Sequence, residues 1–101
     1  MIFLCKTSEV PEWGGLRVEL TDRPAVAVFR SGSQYFVTDD LCTHGEASLA
    51  DGEVEGMEII CPFHLGRFDL RDGRATAAPC VDPLRSYPTE LRDGDIFAAI
   101  D

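Results

Sequence analysis

Two short stretches of the chain carry residue types that bind metals. Cys42-Thr43-His44 is a C-x-H pair and Cys61-Pro62-Phe63-His64 is a C-x-x-H pair, with residues 45–60 between them. The chain has two histidines, and both are in these pairs. Two soft thiolates and two imidazoles suit zinc or an iron–sulfur centre. Zinc fingers usually keep their cysteines together and their histidines together, as C-x₂₋₄-C and then H-x₃₋₅-H. Here each stretch holds one of each type. A binuclear iron–sulfur cluster with two Cys on one iron and two His on the other needs that mixture, because each loop then reaches both irons. Zinc in a structural Cys₂His₂ module stands as the alternative, separable by colour.

Strands must deliver these pairs. Ile2 to Lys6 is a short apolar strand, and Val10 to Gly15 turns on Pro11 and the paired glycines. Leu16 to Leu20 alternates apolar and polar residues, the pattern of a half-buried strand. Thr21 to Pro24 turns the chain. Ala25 to Arg30 and Gln34 to Thr38 form a hairpin around Ser31-Gly32-Ser33, and Asp39-Asp40 leads into the first pair. Ser48 to Gly56 reads as a loop with one short strand, and Gly45 to Ala50 has room for a single helical turn. Met57 to Ile60 delivers Cys61, Arg67 to Leu70 leaves the second pair, and Arg71-Asp72-Gly73-Arg74 is a tight turn. Ala75 to Pro83 reads as extended and irregular. Leu84 to Ser86 and Tyr87 to Arg92 are strands broken near Pro88, and Asp93-Gly94 turns into a last strand, Asp95 to Ile100. No segment sustains a helical period, so the chain reads as all-β, a barrel or sandwich. Its 101 residues make one small domain, which metal ligation would staple.

The C-x-H…C-x-x-H pattern resembles the Rieske [2Fe–2S] family. The resemblance implies one cluster, with Cys42 and Cys61 on one iron and His44 and His64 on the other. It implies an antiparallel β-sandwich or barrel base domain from residues 1–40 and 80–101, and a small cluster-binding subdomain, about 41–79, inserted in it. Gly45 and Gly66, just after the pairs, are expected to let backbone N–H groups approach the sulfurs closely. High-potential members carry two further cysteines that form a disulfide between the loops, and a Ser and a Tyr whose hydroxyls donate to sulfur. This chain has Ala47 and Phe63, and Gly66 and Phe68, at those positions. The reduced cluster then lacks those donors, which places the potential at the low end of the range of roughly −150 to +300 mV.

Other residues carry weaker signals. Phe63, Leu65 and Phe68 read as packing around the cluster, with Phe63 or Leu65 in an exposed docking rim as the other reading. Pro79 sits either in a loop covering the cluster or in an ordinary turn. Trp13 is expected in core or base-domain packing. Cys80 reads as a small, partly buried residue, and Cys5 and Cys80 read as unpaired, with a Cys5–Cys80 disulfide as the alternative that the usual reduced state of cytosolic thiols disfavours.

The net charge of −9 argues against nucleic acid and anionic membrane as partners. No Lys or Arg occurs from Ser31 to Gly66, whereas Asp39, Asp40, Glu46, Asp51, Glu53, Glu55 and Glu58 do. That run is either a solvated surface or a collar that steers basic partners. A mononuclear-iron oxygenase would need two more histidines and a carboxylate. G-x-G-x-x-G and G-x-S-x-G are both missing, so the chain reads as a carrier and not an enzyme. With its LCTHG, SLADG, CPFH and GRFD elements it resembles the ferredoxin components of bacterial aromatic-ring-hydroxylating dioxygenases. By that resemblance it takes electrons from an NAD(P)H-dependent flavin reductase and hands them singly to a terminal oxygenase. The electron passes through the His44/His64 iron, whose imidazole edges face solvent, in transient docking by a monomer. The small Rieske subunit of an assimilatory nitrite reductase is the alternative. Neither a secretory leader nor a membrane span is expected, so the reading is soluble and cytoplasmic.

Overall fold

Val26-Ala27-Val28-Phe29 is apolar without a break, and all four residues are fully buried. Successive strand residues point to opposite faces, so such a run requires cover on both sides. The computed structural model, which describes every residue except His44, His64 and Asp101, supplies that cover with three antiparallel sheets.

The strands are β1 (Ile2–Lys6), β2 (Gly15–Leu20), β3 (Arg23–Ser31), β4 (Gln34–Asp39), β5 (Glu53–Glu55) and β6 (Glu58–Ile60). They continue as β7 (Arg67–Asp69), β8 (Ala75–Ala77), β9 (Ser86–Tyr87), β10 (Thr89–Arg92) and β11 (Asp95–Ala98). The central sheet has the order β2-β3-β4-β9, with β1-β11-β10 and β5-β6-β7-β8 as the other two. Val26 and Val28 of β3 join one core with Leu4, Val37, Tyr87 and Ile96. Ala27 and Phe29 join the other, with Leu49, Val54, Ile59, Phe68 and Leu70. The alternation of β3 thus links two cores through one sheet. The chain is all-β, as the spacing of its apolar runs and turns predicts; among the described residues the only helical turns are 3₁₀, at Thr7–Glu9 and Leu49–Asp51. No helix among the described residues is long and apolar enough to cross a membrane.

Three expectations change. Ala75–Ala77 is a strand, β8, because it pairs with β7 across a register shift; three small residues give no apolar period to read. Leu84 lies outside any strand; it joins the core with Phe29, and its N–H donates to the Gly73 carbonyl at 2.7 Å. A side chain at Gly73, which has φ 81°, would overlap the Leu84 carbonyl, so this turn needs glycine on both counts. Trp13 is 48% exposed and not in the core. It sits at φ 57° in the turn between Pro11 and Gly14, where a side chain is carried outward, and its carbonyl accepts the Val54 N–H at 2.9 Å. Cys5 and Cys80 belong to different cores, which separates them as free thiols.

Candidate metal centre

Each cysteine of the two pairs opens a loop that closes in the same way. The Cys42 N–H donates to the Ala47 carbonyl at 3.0 Å, and the Cys61 N–H to the Gly66 carbonyl at 2.7 Å. The first loop is pinned at its base. The Leu49 N–H donates to the Asp40 carbonyl at 2.7 Å, and Leu41 bridges Ser48. The buried Asp40 carboxylate accepts Ser48 Oγ at 2.7 and 2.9 Å and the Ala50 N–H at 3.0 Å. The second loop is framed by β6 and β7, with Ile60 opposite Arg67, and contains Leu65 at φ 61°. Non-glycine residues seldom adopt that left-handed conformation, and such strain concentrates at functional sites. Beyond β7, the buried Asp69 carboxylate accepts the Arg71 N–H at 2.8 Å, its Nε at 3.0 Å and a terminal guanidinium nitrogen at 2.7 Å. His44 and His64 lie outside the described residues; in sequence, one falls within each closed loop.

The loops bring their sulfurs together in a dry place. Cys42 and Cys61 are 2% and 0% exposed, in one core with Phe29, Leu49, Ile59 and Phe68. Burial pushes the Cys61 thiol up, the Phe63 backbone N–H donated to its sulfur pulls it down, and the neighbouring Cys42 sulfur raises it again. Loading a metal there must displace a proton. Cys80 is the third sulfur, 3.9 Å from that of Cys42, and burial, with Cys42 next in effect, pushes its thiol up to about 12. Two adjacent buried thiols from separate loops, one already holding a backbone N–H, fit the cysteine side of a [2Fe–2S] cluster. Among the described residues, no three His, Cys, Asp or Glu gather as ligands of a single ion.

Around the loops, Phe68 is fully buried, whereas Phe63 is 56% and Leu65 68% exposed. The packing expectation therefore holds for Phe68 alone; residues at the tip of a tight loop project outward. Phe63 lines a shallow cleft with Glu46 and Ala47, and Leu65 another with Asp51, Glu53 and Pro62. The acidic run is not one collar. Asp40 is buried, Asp39 accepts the Tyr87 hydroxyl at 2.5 Å, and Glu55 and Glu58 hold Arg67 at 3.2 Å each. Glu46, Asp51 and Glu53 are the ones exposed beside the loops. The two glycines after the pairs differ in their surroundings. A side chain at Gly45 would meet open space, and one at Gly66 would overlap the Cys80 sulfur. The roles of Asp40, Asp69 and Cys80 beside the loops went unread in the sequence because their partners are set by folding.

Residues 1–88 match the Rieske [2Fe-2S] domain. The chain is 46% identical to the ferredoxin component of the p-cumate 2,3-dioxygenase system of Pseudomonas putida, over 99% of this chain and 86% of that protein. Among solved structures it is similar to the Sphingomonas yanoikuyae B1 ferredoxin, with a TM-score of 0.92, 40% identity, and 99% and 98% of the two chains covered. A chain in the complex of reduced oxygenase and oxidized ferredoxin in carbazole 1,9a-dioxygenase matches with a TM-score of 0.90 and 36% identity, over 97% of this chain and 91% of that one. A putative nitrite reductase small subunit shares the fold alone, at 18% identity and a TM-score of 0.83 over 98% of this chain and 97% of that one. The chain belongs to the Rieske [2Fe-2S] family, and one cluster of that type is its cofactor.

Proposed function

We propose that this chain is the ferredoxin component of an aromatic-ring-hydroxylating dioxygenase system, carrying single electrons from an NAD(P)H-dependent flavin reductase to a terminal oxygenase. The observation that carries the reading is the pair of buried, adjacent thiols opening two matching loops, in a chain so similar throughout to such a component. It is an electron-transfer component and not an enzyme.

In this reading Cys42 and Cys61 hold one iron, and His44 and His64 the other. When bound, the cluster accepts and returns one electron. The chain's own residues then have three tasks. Leu49, Ile59 and Phe68 share the core of the two thiolates and exclude water from it. The Phe63 N–H stabilises the Cys61 thiolate. The exposed Phe63 and Leu65 side chains, with Glu46, Asp51 and Glu53 beside them, form an apolar face with an acidic rim, suited to brief docking by a monomer. Residues from about 41 to 79 act as the cluster-binding subdomain and residues 1–40 and 80–101 as the base, a division supported by the sheet β5-β6-β7-β8, which lies wholly within the insert. The protein works dissolved in the cytoplasm.

Reconstitution tests the whole reading. Holo-protein, a flavin reductase, a ring-hydroxylating oxygenase and its aromatic substrate should couple NADH consumption to hydroxylation, and omission of this protein should stop it. The midpoint is expected near the low end of the family range; a value above about 0 mV contradicts that assignment.

A further inference from the structure

We propose that the Cys80 thiol donates a hydrogen bond to the Cys42 sulfur and thereby raises the potential of the cluster above what positions 66 and 68 would set. The inference rests on Cys42 being a ligand, as proposed above.

Three observations carry it. The two sulfurs are 3.9 Å apart, within hydrogen-bonding reach for sulfur, and either could donate while both are thiols. An iron-bound Cys42 is a thiolate and can only accept, which fixes Cys80 as the donor. Both are buried, at 2% and 4% exposure, so no bulk water competes and a charge-assisted bond is strengthened. The thiol also occupies space that position 66 leaves free. A side chain at Gly66 would overlap the Cys80 sulfur, and the Cys80 N and Cβ would lie 3.1 and 3.2 Å from it. Neither Gly66 nor Phe68 brings a side-chain donor, and a thiol from the segment after β8 fills the gap. That segment is held in place. The Cys80 N–H donates to the Ala77 carbonyl at 3.2 Å, and Thr43 Oγ1, in the first ligand loop, donates to the Asp82 carbonyl at 2.9 Å.

Cys80 is a positioning and tuning residue, and its sign can be tested. Reduction adds negative charge to the cluster and its thiolates, so a donor on Cys42 favours the reduced state. A residue that merely filled space would act in the opposite direction. Its removal would admit water, which also favours the more charged, reduced state. Cys80→Ala holo-protein, with its visible and EPR spectra intact, should therefore shift the reduction equilibrium toward the oxidised form by up to about ten-fold, which is about 59 mV for one electron. The double variant Gly66→Ser/Cys80→Ala returns a hydroxyl to the same space and should recover the loss. A second measurement needs no loaded variant. The infrared S–H stretch of Cys80 in the wild-type holo-protein should move to lower frequency on reduction, as its acceptor gains charge. An unchanged or higher midpoint in Cys80→Ala, or an S–H band indifferent to reduction, overturns the proposal. Failure of the parent reading looks different: wild-type protein without a [2Fe–2S] EPR signal, or Cys42→Ala with a full cluster.

Discussion

Cys5 and Cys61 are both buried thiols, and their surroundings give them different roles. Burial, with Glu9 adding to it, pushes Cys5 up to about 11 in the β1 core, where it packs as a small apolar residue. Cys61 is raised by burial too, but it meets a donated N–H and a second sulfur, the setting of a ligand. The histidine of its loop can be tested directly. With His64 as the proposed ligand, His64→Cys replaces a neutral imidazole with a thiolate, so part of the cluster should survive while its potential falls. A redox titration decides, and a variant titrating like the wild type would remove His64 from the ligand set. The C-x-H and C-x-x-H pairs were legible because each is local. The Cys42–Cys80 contact joins positions 38 apart in sequence, so no spacing rule could have found it.

Whole elements hold the site through two buried carboxylates and one aromatic ring. Asp40→Ala removes the acceptor for Ser48 and Ala50 and leaves a shielded N–H unmet, at a cost of about 1–3 kcal/mol. Urea unfolding should register that cost, and faster hydrogen exchange at Cys42 and Leu49 should locate it in the first loop. Asp69 has a pH signature. The Arg71 hydrogen bonds hold its carboxyl below the usual range, outweighing the upward push of burial. A depressed folded pKa contributes stability above the unfolded value of about 4, and that contribution fades as pH falls through the folded one. The stability gap between wild type and Asp69→Asn should therefore be widest near neutral pH and narrow in acid; a gap constant with pH would refute the linkage. Phe29→Ala empties a fully buried site where the central sheet meets the second core, and should cost about 3–5 kcal/mol in a denaturation series. Strand β3 was readable from its apolar run, but β8 and the position of Leu84 were not, because small or isolated residues take their place from the partner strand.

Across the whole molecule, the net charge of −9 matters less than where exposed acid remains. Glu46, Asp51 and Glu53 flank Phe63 and Leu65 at the loops, while the other four acids of the run are buried or tied to partners. Glu46→Lys/Glu53→Lys should slow electron delivery to the oxygenase by about ten-fold or more at low salt. The difference should shrink at high salt, with the midpoint unmoved. Stopped-flow rates against ionic strength check this; equal rates at all salt concentrations would reduce the rim to a solvated surface.

The sequence by itself determined the all-β class and marked out the C-x-H and C-x-x-H pairs proposed as ligands, because such pairs and strand alternation are written in neighbouring positions. Tertiary structure decided which acids remain free at the surface, that Trp13, Phe63 and Leu65 face outward, and that Cys80 comes to rest beside Cys42 in the space beside Gly66. Those outcomes depend on how three sheets stack and how their connecting loops meet, and distance along the chain carries no record of it.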